Sequence, residues 1–158
     1  MKKLIFVMNI LAIFMSIATL VPAQPQGWKE TEISRFVPLP RPESIKITPP
    51  AADLPPKIAA FLGRWEGVCD LRSIKIVFIV EKISEKNAKI IHGWGSGLSL
   101  KPDYARVTAK VIPGPKIEYM GIGKATYIFE MDEGLKRINY QYEFGGKTIK
   151  ATLEKVED

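Results

Sequence analysis

The sequence predicts an all-β domain, namely an eight-stranded antiparallel up-and-down barrel preceded by one short helix. From Arg64 to Val156 apolar and polar residues alternate with a period of two, which is typical of half-buried strands. Turn-forming residues interrupt this alternation about every 12 residues. The connections are too short for crossover helices, so neighbouring strands must pair antiparallel, and a meander of this length closes most economically into a barrel. An open sheet packed on the helix is the alternative.

Residues 1–23 have the pattern of a secretory signal peptide. Lys2 and Lys3 give a basic start, residues 4–20 form a mostly apolar run, and small residues precede a cleavage point after Ala23. An uncleaved membrane anchor is the alternative, because the run approaches the length of a spanning helix. The polar residues inside the run and its cleavage-like end favour removal. We therefore expect an exported protein, periplasmic or secreted.

Residues 24–53 are expected to form a proline-rich extended arm or linker. Seven of the 20 residues from Val37 to Pro56 are proline, which obstructs both helix formation and ladder pairing. Such a segment is extended and semi-rigid. Residues 24–36 would form either a strap across the domain, anchored by Trp28 and Phe36, or a disordered stretch, and the sequence leaves both open.

A short helix is predicted at the start of the folded domain, which spans residues 54–158. Asp53 has the residue type of an N-cap, and Pro55 and Pro56 fall in the first turn, where their missing N–H groups cost little. Four apolar residues recur at helical spacing before Gly63 ends the run: Leu54, Ile58, Phe61 and Leu62. We expect this apolar stripe to pack on the sheet.

The predicted strands each have one apolar and one polar face. They span residues 64–71, 74–83, 88–95, 104–112, 116–120, 124–131, 135–144 and 148–156. In the fourth strand, for example, Val107 and Ala109 share one face and Arg106 and Lys110 the other. Apolar side chains inside and polar ones outside are the soluble arrangement. A membrane pore would invert this arrangement, so the pattern argues against one.

Composition and charge exclude further classes of protein. One cysteine and one histidine cannot build a disulfide framework or a Cys/His metal cluster. Removal of Lys2 and Lys3 with the signal peptide lowers the formal charge from +6 to +4. The basic residues are scattered, which disfavours nucleic-acid binding and leaves weak attraction to an anionic membrane surface. Cys69 is expected to be buried and inert, as free cysteines commonly are.

The predicted helix followed by Gly63-Arg64-Trp65 resembles the opening of lipocalins and the wider calycin group, in which Gly-x-Trp begins the first strand. The resemblance implies that Trp65 closes one end of the barrel beneath a cation from the end of the chain, and Lys155 has the matching parity. Members of the group more often use an arginine placed after the last strand. With the second Trp-Gly pair, Trp94-Gly95, the chain is also similar to uncharacterised secreted bacterial lipocalin-like domains. The resemblance covers roughly residues 54–156 and implies a fold more than a function.

Inward-facing residues are the candidates for a ligand site. An eight-stranded barrel is either filled by side chains or holds one small ligand. Inward aromatic residues favour a filled core, whereas small inward residues such as Gly67 and Ala109 favour a cavity, and both stay open. The candidate ligand-binding residues are Trp65, Phe78, His92, Trp94, Tyr127 and Tyr140.

We expect a barrel that binds a small apolar or amphipathic molecule without catalysis, cofactor or metal. His92 is favoured as a neutral core or rim residue over a ligand anchor, and catalysis with Cys69 is least favoured because no carboxylate is placed to orient the ring. Glu66, Asp70 and Glu81 are expected on a solvated face. The alternative is a solid-core envelope or protein-interaction module that acts through its surface and proline-rich arm on an unidentified protein partner.

Overall fold

The computed structural model describes residues 30–69, 73–96 and 101–157, which contain a closed antiparallel β-barrel. The predicted fold class is confirmed, since eight strands follow one another around the barrel in chain order after one short helix. The elements are α1 (Pro56–Ala59), β1 (Gly63–Cys69), β2 (Lys75–Ile83), β3 (Asn87–Trp94), β4 (Asp103–Ile112), β5 (Lys116–Met120), β6 (Thr126–Met131), β7 (Arg137–Phe144) and β8 (Lys147–Val156). The predicted signal peptide, residues 1–23, and Trp28 lie outside the described residues.

Pairing between the first and last strands closes the barrel. β1 runs antiparallel to β8, with Trp65 opposite Lys155 and Gly67 opposite Leu153. A β-carbon at Gly67 would collide with the backbone carbonyl of Thr152, so the close approach of the two strands requires glycine there. The β1–β8 pairing excludes the open sheet.

The helix α1 is short and is capped differently from the prediction. Its N-cap is Pro55, whose extended backbone leads into the helix, and no side chain caps its first turn. The N-cap role predicted for Asp53 is therefore wrong, because the helix begins two residues later than an Asp53 cap requires. After α1, the buried carbonyl of Phe61 accepts a hydrogen bond from Trp65 Nε1–H at 2.8 Å. We call this end of the barrel the closed end. Among the described residues no helix is long and apolar enough to cross a membrane.

Aromatic side chains fill the middle of the barrel. Phe78 on β2 and Phe129 on β6 are fully buried, and their nearly parallel rings lie with centroids 3.8 Å apart. His92 and Tyr140 pack around Phe129, with ring centroids 5.4 and 5.3 Å from it. The interior is thus solid at the level of Phe78.

The described part of the proline-rich arm, residues 30–53, packs on the outside of the barrel. Its apolar side chains form a second, smaller core with the outer face of β2 and β3. This core joins Val37 and Ile45 of the arm to Val77, Ile79 and Ile91 of the strands. β2 is consequently buried on both faces, which matches its nearly continuous apolar sequence.

Two carboxylates that were expected on a solvated face are buried beside this arm. Glu66 on β1 is 6% exposed, forms an ion pair with Arg64 and accepts a hydrogen bond from the Thr31 hydroxyl at 2.5 Å. Glu81 on β2 is 2% exposed. The expectation is wrong for both residues, because strand alternation tells which face a side chain occupies and not what covers that face. Asp70 lies outside the described residues.

Glu81 attaches the arm to the barrel through a small polar network. Its carboxylate accepts hydrogen bonds from Arg106 Nε–H at 2.8 Å and from the Lys46 backbone N–H at 3.3 Å. Its backbone carbonyl accepts one from the Thr48 N–H at 2.7 Å, and Arg106 also donates to the Ser44 carbonyl at 2.8 Å. Burial alone would raise the pKa of Glu81, but the hydrogen bonds and the positive charge of Arg106 outweigh it and lower the pKa from its ordinary value.

Candidate functional site: a cavity at the open end of the barrel

A small cavity of about 80 Å³ lies inside the barrel, at the end opposite to Trp65. Late residues of β1, β3 and β7 and early residues of β2, β6 and β8 surround it, and in an up-and-down barrel these positions share one end. We call it the open end. The lining side chains are Cys69, Ile74, Ile76, His92, Trp94, Tyr127, Tyr140, Tyr142 and Ile149.

The volume of the cavity sets the size of what it can enclose. A cavity needs roughly 10–15 Å³ to hold one water molecule, and a dry engineered cavity of about 150 Å³ accepts benzene. A cavity of about 80 Å³ therefore accommodates a few heavy atoms, or one end of a longer molecule that extends through the open end. A larger surface groove of about 660 Å³ runs between the arm and the β2–β3 turn, but mostly exposed side chains line it and it excludes water poorly.

Four of the six candidate ligand residues meet at this cavity. His92 and Trp94 reach it from β3, Tyr127 from β6 and Tyr140 from β7. The other two candidates, Trp65 and Phe78, are completely buried elsewhere and do not line it. The sequence left two alternatives, a barrel filled by side chains and a barrel with a cavity. The structure has both features, because side chains fill the middle of the barrel and a small cavity lies between them and the open end.

His92 is the polar side chain at the centre of the aromatic cluster. It is 1% exposed, and its Nδ1 lies 2.6 Å from the hydroxyl oxygen of Tyr119, a hydrogen-bond distance. Its Nε2 is buried and has no hydrogen-bond partner among the described residues. The rings of Trp94, Tyr127 and Tyr140 surround it at centroid distances of 5.1–5.5 Å. The histidine is therefore oriented by a phenol and not by a carboxylate.

Burial keeps the titratable groups of this cluster uncharged. Loss of hydration lowers the pKa of His92 to about 3, so the imidazole is neutral at physiological pH. Burial likewise raises the pKa of Tyr119, Tyr127 and Tyr140, which remain protonated phenols. The cavity wall is thus an aromatic, electrically neutral surface with hydrogen-bonding groups at a few points.

The residues assigned to barrel closure lie at the opposite end. Trp65 is completely buried, and the Nζ of Lys155 lies 5.2 Å from its ring centroid, within the range of a cation–π contact. Lys155 itself is exposed and belongs to β8, so the cation comes from the last strand.

Sequence reasoning missed several residues of the site. Tyr119, which orients His92, lies on β5, a strand whose faces were not assigned. Its alternation with the buried Ile117 would have placed both side chains inward. Cys69, Tyr142 and Ile149 also line the cavity but were not among the candidate ligand-binding residues, because parity alone does not give depth along the barrel. Cys69 is buried, as expected, and is not part of a disulfide.

Comparison of the chain with protein-family profiles, curated proteins and solved structures finds no match. The fold is therefore described from its own geometry, as a closed eight-stranded antiparallel barrel that is compatible with a lipocalin-like fold. No group of three or more His, Cys, Asp or Glu side chains that could hold a metal ion occurs within the described ranges.

Proposed function

We propose that this chain is an exported, lipocalin-like barrel that binds a small apolar or amphipathic molecule at its open end without converting it chemically. The observation that carries the proposal is the cavity of about 80 Å³, with an aromatic and aliphatic wall and one buried histidine nitrogen that lacks a hydrogen-bond partner among the described residues. Ligand sites are commonly concave, largely apolar and supplied with few polar groups. This cavity is likewise largely apolar with few polar groups, although its volume is small.

A relation to lipocalins is supported by features at the closed end. A short helix precedes Gly63-Arg64-Trp65, and Lys155 lies over the indole of Trp65. Export is supported by the sequence pattern of residues 1–23. Ligand uptake by such a barrel would take place outside the cytoplasm.

The surface around the open end supports weak attraction to an anionic membrane. Ile122, between β5 and β6, is 98% exposed, and the last residues of β5 and β7, Met120 and Phe144, are 70% and 51% exposed. Lys124 and Lys147 are exposed beside them. Apolar side chains flanked by lysines fit a negatively charged lipid surface, which would bring the cavity close to membrane-dissolved molecules.

Tryptophan fluorescence tests the cavity as a binding site. Trp94 lines the cavity, so binding of a small apolar compound should change its emission in a saturable way. Replacing Ile149 with phenylalanine fills space at the cavity and should weaken binding. The matched control is Thr152→Phe, which adds the same ring to the exposed face of the same strand. Binding that survives Ile149→Phe unchanged, or a complete lack of saturable binding, would contradict the proposal.

A further inference from the structure

The described part of the cavity wall offers no counter-charge to a ligand. None of the nine described residues that line it is Asp, Glu, Lys or Arg. The groups packed around His92 are also uncharged, since they are the rings of Trp94, Tyr119, Tyr127, Phe129 and Tyr140. An ionised ligand group placed here would lose its hydration without gaining an ion pair, which is strongly unfavourable.

One buried hydrogen-bonding atom of the wall is left without a partner among the described residues. The indole N–H of Trp94 already donates to the Lys101 carbonyl at 3.0 Å, and His92 Nδ1 is paired with the Tyr119 hydroxyl. His92 Nε2 remains buried without a partner in the described structure, although its ring lines the cavity. Buried polar atoms are nearly always hydrogen-bonded in folded proteins, so an unpaired one beside a cavity points to a group that arrives from outside.

The pairing with Tyr119 determines what Nε2 can offer. A neutral imidazole carries one N–H, so one ring nitrogen donates and the other accepts. When Tyr119 donates its O–H to Nδ1, Nε2 carries the proton and presents a donor. When Nδ1 donates to Tyr119, Nε2 presents an acceptor. A hydroxyl group satisfies both cases because it can donate and accept, whereas a carbonyl satisfies only the first.

We infer that the cavity selects a neutral ligand with an apolar body and one uncharged hydrogen-bonding head, an alcohol above all, which pairs with Nε2 of His92. Carboxylates and ammonium ions with the same carbon skeleton are rejected. The inference rests on the proposed function and adds the chemical class of the ligand. It also reassigns His92 from a satisfied core residue to the polar anchor of the site.

Five compounds with one carbon skeleton test the inference: 1-pentanol, 2-pentanone, pentanoate, pentylammonium and 1-chloropentane. Dissociation constants are measured at about pH 7.5, where the acid and the amine are ionised, by Trp94 emission and by ligand-observed NMR. We expect 1-pentanol to bind about tenfold or more tightly than either ion, because the ions lose hydration and the described wall residues supply no counter-charge. 2-Pentanone should bind as well as 1-pentanol only if Nε2 is the donor.

Variants of His92 and its partner separate the hydrogen bond from the shape of the cavity. His92→Leu should remove the preference for 1-pentanol over 1-chloropentane, whereas His92→Gln keeps a neutral donor and acceptor and should retain part of it. Ile76→Val, elsewhere on the wall, is the matched control and should leave the preference unchanged. Tyr119→Phe retains the imidazole but removes the hydroxyl that orients it, so this variant should also weaken the preference for 1-pentanol, and it keeps the test available if substitution of His92 impairs folding.

The outcomes distinguish this inference from the function on which it rests. If 1-chloropentane binds but pentanoate or pentylammonium binds as well as 1-pentanol, the cavity is a binding site and the inference is wrong. If the alcohol preference persists in His92→Leu, the assignment of the head group to Nε2 is wrong. If none of the five compounds binds, the proposed function itself fails.

Discussion

Replacing Ile45 with alanine should destabilise the whole barrel, although this residue lies in the proline-rich arm. Ile45 is 7% exposed and packs against Val77, Ile79 and Ile91 on the outside of the barrel. The substitution removes three carbon atoms, each worth about 0.8 kcal/mol when buried, which gives roughly 2.4 kcal/mol. A residual cavity would add to this loss and relaxation of the arm would reduce it. We therefore expect the free energy of unfolding to fall by about 2–3 kcal/mol.

Urea denaturation measures this loss, and the same segment supplies the control. Ile47 lies two residues further along the arm with its side chain 38% exposed, so by the same arithmetic Ile47→Ala should cost less than Ile45→Ala, about 1.5 kcal/mol at most. Unfolding is followed by tryptophan emission in a Trp28→Phe background, so that the signal comes from Trp65 and Trp94, which belong to the barrel and not to the arm. An unchanged barrel transition in Ile45→Ala, within about 0.5 kcal/mol of the parent, would refute the view that arm and barrel form one cooperative unit.

Three further predictions follow from contacts elsewhere in the molecule. Because the folded-state pKa of Glu81 is lowered, its ionised carboxylate stabilises the fold at pH values above its unfolded-state pKa. This stabilisation is lost as the pH falls through the folded-state pKa, so Glu81→Gln should reduce the fall of the urea midpoint with decreasing pH. Lys155→Met should lower stability by about 0.5–1 kcal/mol and alter Trp65 emission, while Lys155→Arg retains the cation and should restore both. Binding to anionic vesicles, measured by co-sedimentation, should be weak, salt-sensitive and reduced by Ile122→Ser. Equal binding to uncharged vesicles would contradict the expected role of Lys147 and its neighbours.

The strand pattern could be predicted from sequence because it is a local property. Alternation and turn residues place β5 at its observed bounds and every other strand end within two residues. The differences of two residues at the starts of β6 and β7 have a local cause. Lys124 and Leu135 were predicted to begin strands, yet both have positive φ angles and lie in turns before β6 and β7. The Asp132 carboxylate accepts hydrogen bonds from the backbone N–H groups of Lys136 and Arg137, which stabilises the turn before β7.

The candidate site could be predicted only in part, because parity gives a face but not a depth. His92 and Tyr127 line the cavity, while Phe78, which has the same inward parity, stacks on Phe129 below it. The register between strands, rather than any single strand, decides which inward residue reaches the open end. An unpaired Nε2 at His92 depends on three-dimensional contacts in the same way.

The burial of the arm could not be predicted from the sequence for another reason. Its contacts join residues about 35 positions apart and leave no periodic pattern in the sequence. The Thr31 hydroxyl reaches Glu66, and the Lys46 N–H reaches Glu81. One signal was nevertheless present in the strand sequence. Residues 76–80 are apolar on both faces, which is typical of a strand covered on both sides. Such a strand in a barrel requires a covering segment, and the proline-rich arm is the covering segment here.

This burial changes how a surface role for the arm must be tested. The apolar side chains that a partner groove would recognise, Val37 and Ile45, are occupied by the barrel's own outer face. A partner that captured them would have to compete with that face and expose Val77 and Ile79. Deleting the arm would therefore test folding before it tested binding. Charge reversal at Arg41 and Glu43, which are exposed on the same arm, leaves the second core intact, so a loss of partner capture in that variant would indicate a surface function of the arm.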